Sequence, residues 1–214
     1  MKRALKAVLI ILLVLIIVVG GYAAYLLIGY HRLPDTDEAL EPVGEPAKTG
    51  ETYEIITWNL GFGAYSSDFG FFMDGGTESR ARSKEAVYDN LNHAADVLEA
   101  ENPDFMLLQE LDTDATRSHH VDERALMAER FSNRQGCYAQ NYDSGYLFYP
   151  LLKPHGASRS GILTLAGRGI NRFARVSLPV EDGLTKFLDL DRCYSKAYVP
   201  VDNGKTLCLY NLHL

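Results

Sequence analysis

Residues 7–28 form one uninterrupted run of uncharged, mostly apolar residues, AVLIILLVLIIVVGGYAAYLLI. About 20 such residues in a helix span the hydrocarbon core of a bilayer. The alternative is a cleaved signal peptide, whose apolar region is shorter, about 7–15 residues, and ends at a small-residue cleavage site. Here the run continues past Gly20-Gly21 and Ala23-Ala24 to Ile28. We therefore predict an uncleaved transmembrane anchor over residues 7–29.

The charges beside this run predict its orientation and the organisation of the chain. Lys2, Arg3 and Lys6 precede it, and basic flanks stay in the cytoplasm. Residues 1–6 are thus a cytoplasmic flank, and the rest faces outward as the extracellular part of a single-pass cell-membrane protein. Residues 30–52 contain three prolines and many acids, which predicts an extended linker. Residues 53–214 form the remaining domain.

That domain carries the whole net charge of −7, because residues 1–50 contain equal numbers of basic and acidic side chains. Nonspecific nucleic-acid binding requires Lys and Arg to displace counterions. The acidic balance therefore argues against a nonspecific nucleic-acid-binding protein. It remains compatible with a cation, or with a substrate held through one.

The cysteine count is odd, which does not indicate a disulfide framework. The sequence Asp202-Asn203-Gly204 predicts a two-residue hairpin turn that places Asp202 opposite Lys205 and Cys208 opposite Val199. Cys193 then lies too far along its strand to bridge to Cys208. We expect all three cysteines to be free, buried, small apolar residues: Cys137, Cys193 and Cys208.

Hydrophobic periodicity predicts a mixed α/β domain. YEIITWN (53–59) and DFMLLQE (104–110) fit buried strands, and Ser83 is placed to cap a helix whose buried face starts at Val87. A second helix is predicted over 122–131. Further strands are predicted around 146–148, 161–166, 174–178, 192–200 and 206–214.

Polar residues stand where three of these strands end. They are Asn59, Glu110 and, sharing one face of the last strand, Asn211 and His213. An amide, a carboxylate and an imidazole gathered at sheet ends suggest a hard-cation site with an acid/base group. Taken alone, each residue has an equally reasonable structural interpretation. Glu110 is then an ordinary exposed residue, Asn59 a turn former and His213 a core histidine.

The segments ITWNLGFG, NPDFMLLQELD and LCLYNLHL, in this order, resemble the first motifs of the endonuclease/exonuclease/phosphatase superfamily. The resemblance implies the first half of a four-layer α/β sandwich of the DNase I-like type, preceded here by one transmembrane helix. It implies hydrolysis of a phosphoester, of nucleic acid, phospholipid or sugar phosphate, with Mg²⁺ or Mn²⁺. Asn59 and Glu110 would correspond to catalytic metal and phosphate ligands, and His213 to the catalytic histidine at the scissile phosphate.

Three further residues are predicted to contact substrate. Asn211 shares the strand face of His213, Arg117 lies on the loop TDATRSHH that follows Glu110, and Ser160 precedes a buried strand that would lead from the site. An Arg at this place suits a phosphate. A solvated loop is an equally ordinary interpretation of Arg117.

The sequence departs from the family in its later motifs. No Gly-Asp-x-Asn string, which orients the nucleophilic water in the family, and no Ser-Asp-His string, which carries its general base, occurs in these 214 residues. We therefore expect a C-terminally truncated, membrane-anchored hydrolase that is inactive alone. The alternative is a non-catalytic, membrane-tethered binding or vestigial domain.

Overall fold

The computed structural model describes residues 2–179 and 191–213, and the last residue of the predicted strand 206–214 lies outside them. It contains three α-helices, two short 3₁₀ turns at Gly61–Gly63 and Phe72–Asp74, and eight strands. The helices are α1 Lys2–Gly29, α2 Lys84–Glu101 and α3 Glu123–Arg130. The strands are β1 Thr36–Ala39, β2 Ile55–Asn59, β3 Phe105–Ala115, β4 Gln135–Leu147, β5 Gly156–Ala166, β6 Arg172–Ser177, β7 Cys193–Pro200 and β8 Thr206–Leu212.

The strands form two four-stranded sheets that pack face to face. One has the order β1-β6-β7-β8 and is antiparallel throughout, whereas the other has the order β2-β3-β5-β4, with β2 and β3 parallel. Between them lies an apolar core that includes Phe105 and Ile162 from one sheet and Ala197 and Leu209 from the other. The predicted mixed α/β sandwich is therefore confirmed.

Helices α2 and α3 cover the outer face of the β2-β3-β5-β4 sheet. The α2 residues Leu91 and Leu98 pack there with Met106 and Leu108 of β3. All four side chains are at most 1% exposed, and each such burial contributes about 2 kcal/mol. The described residues thus form three layers, helix on sheet on sheet.

The predicted start of α2 is confirmed. Ser83 Oγ accepts a hydrogen bond of 3.1 Å from the Ala86 amide, which satisfies one of the free N–H groups of the first turn. Asn102 ends the helix in a left-handed conformation, with φ of 45°, and its amide bonds to the Leu98 carbonyl. This helix could be predicted from sequence because polar residues suited to caps stand at its ends.

Three strand predictions needed correction. The strand predicted around 146–148 is the end of β4, which begins at Gln135. The strand predicted to end at Glu110 continues to Ala115, and β2, predicted to be buried, lies at the edge of its sheet with Ile55 51% exposed. An apolar run shows that a strand can be buried. It does not show which neighbours the strand acquires.

The segment predicted to be a linker is largely extended, but it packs on the domain. Thr36–Ala39 pair with Arg172–Arg175 of β6, so this stretch forms an edge strand of the first sheet. Ala47 is 2% exposed and its amide bonds to the Pro200 carbonyl. Proline content predicted the extended conformation, whereas the backbone pairing depends on residues more than 100 positions away.

The β7–β8 hairpin has a register shifted by one residue from the prediction. Pro200 pairs with Thr206 and Tyr198 with Cys208, and the Val201 amide bonds to the Lys205 carbonyl. The loop therefore has three residues and ends at Gly204 in a left-handed conformation, with φ of 79°. Cys208 is exposed, contrary to prediction, because this register turns it away from the core. All three cysteines are free, as predicted.

Helix α1 is long and apolar enough to cross a membrane by length and composition. None of its most apolar window is buried against the rest of the protein. An N-terminal apolar helix is thus confirmed. Both an anchor and a signal sequence have these properties.

Candidate active site

Asn59, Glu110 and His213 come together although they are distant in sequence. Asn59 Nδ2 donates a hydrogen bond of 2.9 Å to Glu110 Oε1 and lies 3.2 Å from His213 Nε2. His213 Nε2 lies 3.2 Å from Glu110 Oε1. The three side chains are supplied by the ends of β2 and β8 and by the middle of β3. The cluster unites a carboxylate, an amide and an imidazole at one point.

Glu110 reaches this point because β3 is irregular there. Its register against β5 shifts between Leu108 and Leu111, and Glu110 adopts a φ of 56°. A left-handed backbone is unfavourable for a non-glycine residue, and bulges of this kind re-aim side chains beside functional sites. The bulge turns the carboxylate out of the regular alternation of the strand, and leaves it about one-quarter exposed.

Asn59 is held by the backbone that follows β2. Its Oδ1 accepts a hydrogen bond of 2.8 Å from the Gly61 amide, which fixes the orientation of the side-chain amide. The Leu60 amide bonds to the Gln109 carbonyl, so the end of β2 stays registered with β3. The turn-forming role considered for Asn59 is therefore real, and it coexists with the contact to Glu110.

The cluster forms one wall of a cavity of about 330 Å³. Two of its members, Glu110 and His213, line the cavity directly. The remaining lining residues comprise two arginines, one aspartate, one methionine and several aromatic and neutral polar side chains: Phe62, Tyr65, Phe71, Met73, Asp74, Arg117, Asn141, Tyr142, His155, Ser160 and Arg192.

Arg117 lines this cavity as a largely buried side chain. Its Nε and Nη2 donate hydrogen bonds of 3.0 and 2.8 Å to the two carboxylate oxygens of Asp112, and its guanidinium lies 4.2 Å from the centre of the Phe62 ring. Burial opposes the charge, but Asp112 outweighs it and raises the pKa of Arg117. The loop therefore delivers a fixed, permanently charged guanidinium rather than a solvated one.

A buried carboxyl group supports this ion pair. Glu123 Oε2 accepts a hydrogen bond of 2.9 Å from the Asp112 amide, while Oε1 has no hydrogen-bond partner. Burial, and then the charge of Asp112, raise the pKa of Glu123 well above its ordinary value. A neutral Glu123 leaves Asp112 as the counterion of Arg117.

Ser160 and Asn211 occupy different environments. Ser160 lies in the cavity wall, 2% exposed, and its Oγ has no hydrogen-bond partner. Asn211 uses its amide to join the two sheets: Oδ1 accepts 2.7 Å from Gln109 Nε2, and Nδ2 donates to the Leu108 and Leu163 carbonyls. Arg117 and Ser160 line the cavity, and their predicted contact with substrate stays a prediction, whereas Asn211 is 1% exposed and is not among the residues that line the cavity.

Several residues of the cavity were missed by sequence reasoning. Arg192 lies beside His213, and its Nη1 donates 3.2 Å to the His213 carbonyl. The hairpin register was the signal, because counting back from the Asn203-Gly204 turn brings Arg192 opposite the end of β8. Tyr65 donates 3.0 Å to Asp74 Oδ2 across an aromatic loop that gave no sequence signal.

Comparison with known structures identifies the architecture. The structure is similar to an endonuclease/exonuclease/phosphatase from Beutenbergia cavernae DSM 12333, with a TM-score of 0.51 and 20% identity over 76% of this chain and 38% of that one. The chain has the endonuclease/exonuclease/phosphatase fold. It thus spans well under half of that protein, and the predicted DNase I-like architecture is confirmed.

Two weaker similarities were also found. An endonuclease/exonuclease/phosphatase family protein from Leptotrichia buccalis C-1013-b has a TM-score of 0.47 at 12% identity, over 76% of this chain and 55% of that one. ANGEL2, a 2′,3′-cyclic phosphatase, has a TM-score of 0.46 at 14% identity, over 86% and 45%. A scan against protein-family models found no match, and neither did a search of curated proteins.

The donor groups present at this endonuclease/exonuclease/phosphatase-fold site fit a hard divalent cation. Glu110 supplies an anionic oxygen. Asn59 Oδ1 has a second lone pair beyond the one that accepts from Gly61, but it is Asn59 Nδ2 that faces Glu110, so Asn59 would become a ligand only if its amide turned. Among the described residues no three His, Cys, Asp or Glu side chains form a metal cluster. Mg²⁺ suits such a sparse site, because it retains several waters and takes one or two carboxylates together with substrate oxygens.

Proposed function

We propose that this chain carries the metal- and phosphate-contacting part of a phosphoesterase active site, for a phosphodiester or phosphomonoester. The observation that carries the proposal is the meeting of Asn59, Glu110 and His213 within 3.2 Å at a cavity that also presents Arg117 and Arg192. Structural ion pairs rarely need a bulged strand, an amide and an imidazole at one open wall. Hydrolysis of a phosphoester uses a metal cation, positive charge at the phosphate and a group that supplies a proton.

Each residue would have a distinct task. Glu110 and Asn59 would hold Mg²⁺ or Mn²⁺, which when bound neutralises charge on the phosphoryl oxygens. Arg117, fixed by Asp112, and Arg192 would bind the phosphate from the cavity wall. His213 Nε2, 3.2 Å from Glu110 Oε1, would be placed to pass a proton to the leaving oxygen. Ser160 Oγ would donate to a substrate oxygen.

We further propose that α1 remains as an uncleaved, single-pass anchor in the cell membrane, with the domain outside. The length of its apolar run and the basic residues before it support this topology. A tethered enzyme would act on phosphoesters available at the outer surface.

Binding of Mn²⁺ to the detergent-solubilised full chain tests the cation site, with free Mn²⁺ measured by electron paramagnetic resonance. We expect Glu110→Gln to weaken Mn²⁺ binding at least about tenfold, because it removes the one anionic oxygen of the trio. Glu129→Gln, on the exposed side of α3, is the matched control and should bind Mn²⁺ as the wild type does.

Inorganic phosphate provides the second readout. Phosphate should bind the Mn²⁺-loaded wild type and the Glu129→Gln variant, and should bind Glu110→Gln much more weakly under the same conditions. Equal Mn²⁺ affinity in all three proteins would show that Glu110 is not a cation ligand. If Mn²⁺ binds but phosphate does not, the proposed phosphoesterase function is wrong.

A further inference from the structure

The loop between β4 and β5 ends in a tip of exposed apolar side chains. Leu151 is 83% exposed and Leu152 is fully exposed, and they follow the exposed aromatic residues Phe148 and Tyr149. Contiguous exposed apolar surface on a folded domain marks an interaction site. Lys153, which comes next, is also exposed.

The loop is ordered at its base, so its tip is presented rather than frayed. The Ser79 hydroxyl donates to the Lys153 carbonyl and Arg80 Nε donates to the Pro154 carbonyl. Within the loop, the Lys153 amide bonds to the Pro150 carbonyl at 3.2 Å. A loop that is anchored at its base and carries an apolar tip is the form expected of a segment that inserts into an apolar environment.

The stem of this loop contacts the anchor helix. Tyr22 Oη donates 3.0 Å to the Tyr146 carbonyl, the Tyr146 amide donates 3.0 Å to Tyr25 Oη, and the Tyr22 ring lies 5.2 Å from that of Phe148. Both backbone groups of Tyr146 are thereby satisfied by hydroxyls of α1. Polar backbone near a bilayer requires such partners, since water is scarce there.

The level of this contact along α1 points to the partner. Tyr22 lies six residues before Ile28, the last residue of the apolar run, which is about 9 Å along the helix axis. If residues 7–28 span the bilayer, the stem contact lies about 9 Å inside the outer end of the span, within the outer leaflet. The exposed tip beside it would meet lipid rather than bulk water.

We propose that residues 148–152 insert into the outer leaflet of the membrane that holds α1, with Lys153 at the headgroup phosphates. This inference rests on the proposed membrane anchorage. The cavity between α1 and the domain, about 570 Å³, shares Met73 and Tyr142 with the candidate active-site cavity. Insertion would therefore set the catalytic cluster close to the headgroup plane and restrict how the domain rotates on its anchor.

Depth-dependent fluorescence quenching of the full chain in phosphatidylcholine liposomes tests the insertion. In a Cys208→Ser background, which removes the exposed native thiol, Leu152→Cys is labelled with an environment-sensitive dye. We expect blue-shifted emission and quenching by phosphatidylcholine that carries a doxyl group near its headgroup. Leu151→Asp added to this protein should reverse both effects.

Asn203→Cys is the matched control, because it is exposed in the β7–β8 turn, at the opposite end of that hairpin from Arg192. Its dye should remain water-exposed and unquenched. If alkaline carbonate extracts the chain from the liposomes, the anchorage fails and the insertion fails with it. If the chain stays in the membrane while the dye at residue 152 is as water-exposed as that at residue 203, the insertion alone is wrong.

Discussion

At the scale of single residues, Glu110 shows how a local irregularity makes a site. Its φ of 56° costs about 1 kcal/mol or more for a residue with a Cβ. The regular alternation of β3 would otherwise place residue 110 on the face opposite to residue 109, which bonds to Asn211 between the sheets. The strain coincides with the carboxylate that we assign to the cation, which is where backbone strain is expected to cluster.

His155 provides a residue-scale prediction about pH. Burial, and then the charge of Arg117, lower the pKa of His155 to about 4, against about 6.5 in an unfolded chain. Between these values the unfolded state binds a proton that the folded state does not. The contribution of His155 to the free energy of unfolding should therefore decrease by about 3 kcal/mol as pH falls from 6.5 to 4.

Urea unfolding of the detergent-solubilised chain, followed by fluorescence of the single tryptophan, Trp58, checks this. His155→Asn keeps a donor for the Ser79 carbonyl, which His155 Nδ1 approaches at 3.1 Å, and should flatten the loss of stability on acidification. Glu123, with its raised pKa, acts in the opposite direction in both proteins. His93→Asn, exposed on α2, should retain the wild-type slope. An unchanged slope in His155→Asn would contradict the assignment.

At the scale of elements, the β7–β8 hairpin sets the position of both His213 and Arg192. Its loop depends on Gly204 at a φ of 79°, and a Cβ there would meet no neighbouring atom. Gly204→Ala should therefore cost about 1 kcal/mol through backbone strain alone. Gly204→Asn should cost less, because Asn tolerates the left-handed region. Equal losses of unfolding free energy for Ala and Asn would contradict the three-residue loop.

The segment before the domain shows that pairing overrides local composition. The acidic, proline-containing segment before the domain has the sequence of a linker, yet Thr36–Ala39 add to the sheet at β6. Arg172 bonds to both carboxylate oxygens of Asp37 across this pair, and the Ser177 amide donates 2.7 Å to Asp35 Oδ1. Two of the acids that suggested a linker, Asp35 and Asp37, instead bond to the sheet.

At the scale of the whole molecule, the chain matches 38% of the length of the Beutenbergia cavernae protein. Its sequence contains neither of the motifs that, in the family, orient the water and supply the general base. We therefore expect no Mg²⁺-dependent hydrolysis of bis(p-nitrophenyl) phosphate by the purified 214-residue chain above a metal-only background. Turnover that Glu110→Ala abolishes would contradict this expectation and show that other residues activate the water.

The sequence by itself determined the features that depend on neighbours along the chain. It predicted the apolar helix from its length, α2 from the Ser83 cap and its periodicity, and Asn59 and His213 from their places near strand ends. Glu110 was chosen by the same reasoning, although β3 continues past it to Ala115. These signals are short-range, because caps, periodicity and apolar runs act over one or a few turns. The resemblance of three motifs was enough to predict the fold.

Only the tertiary structure decided how distant segments meet. It turned Glu110 outward through a bulge, buried Arg117 against Asp112, made Asn211 a link between sheets and brought Arg192 beside His213. It also placed the β4–β5 loop against α1. These outcomes depend on pairing register and on burial, which caps, periodicity and apolar runs do not encode.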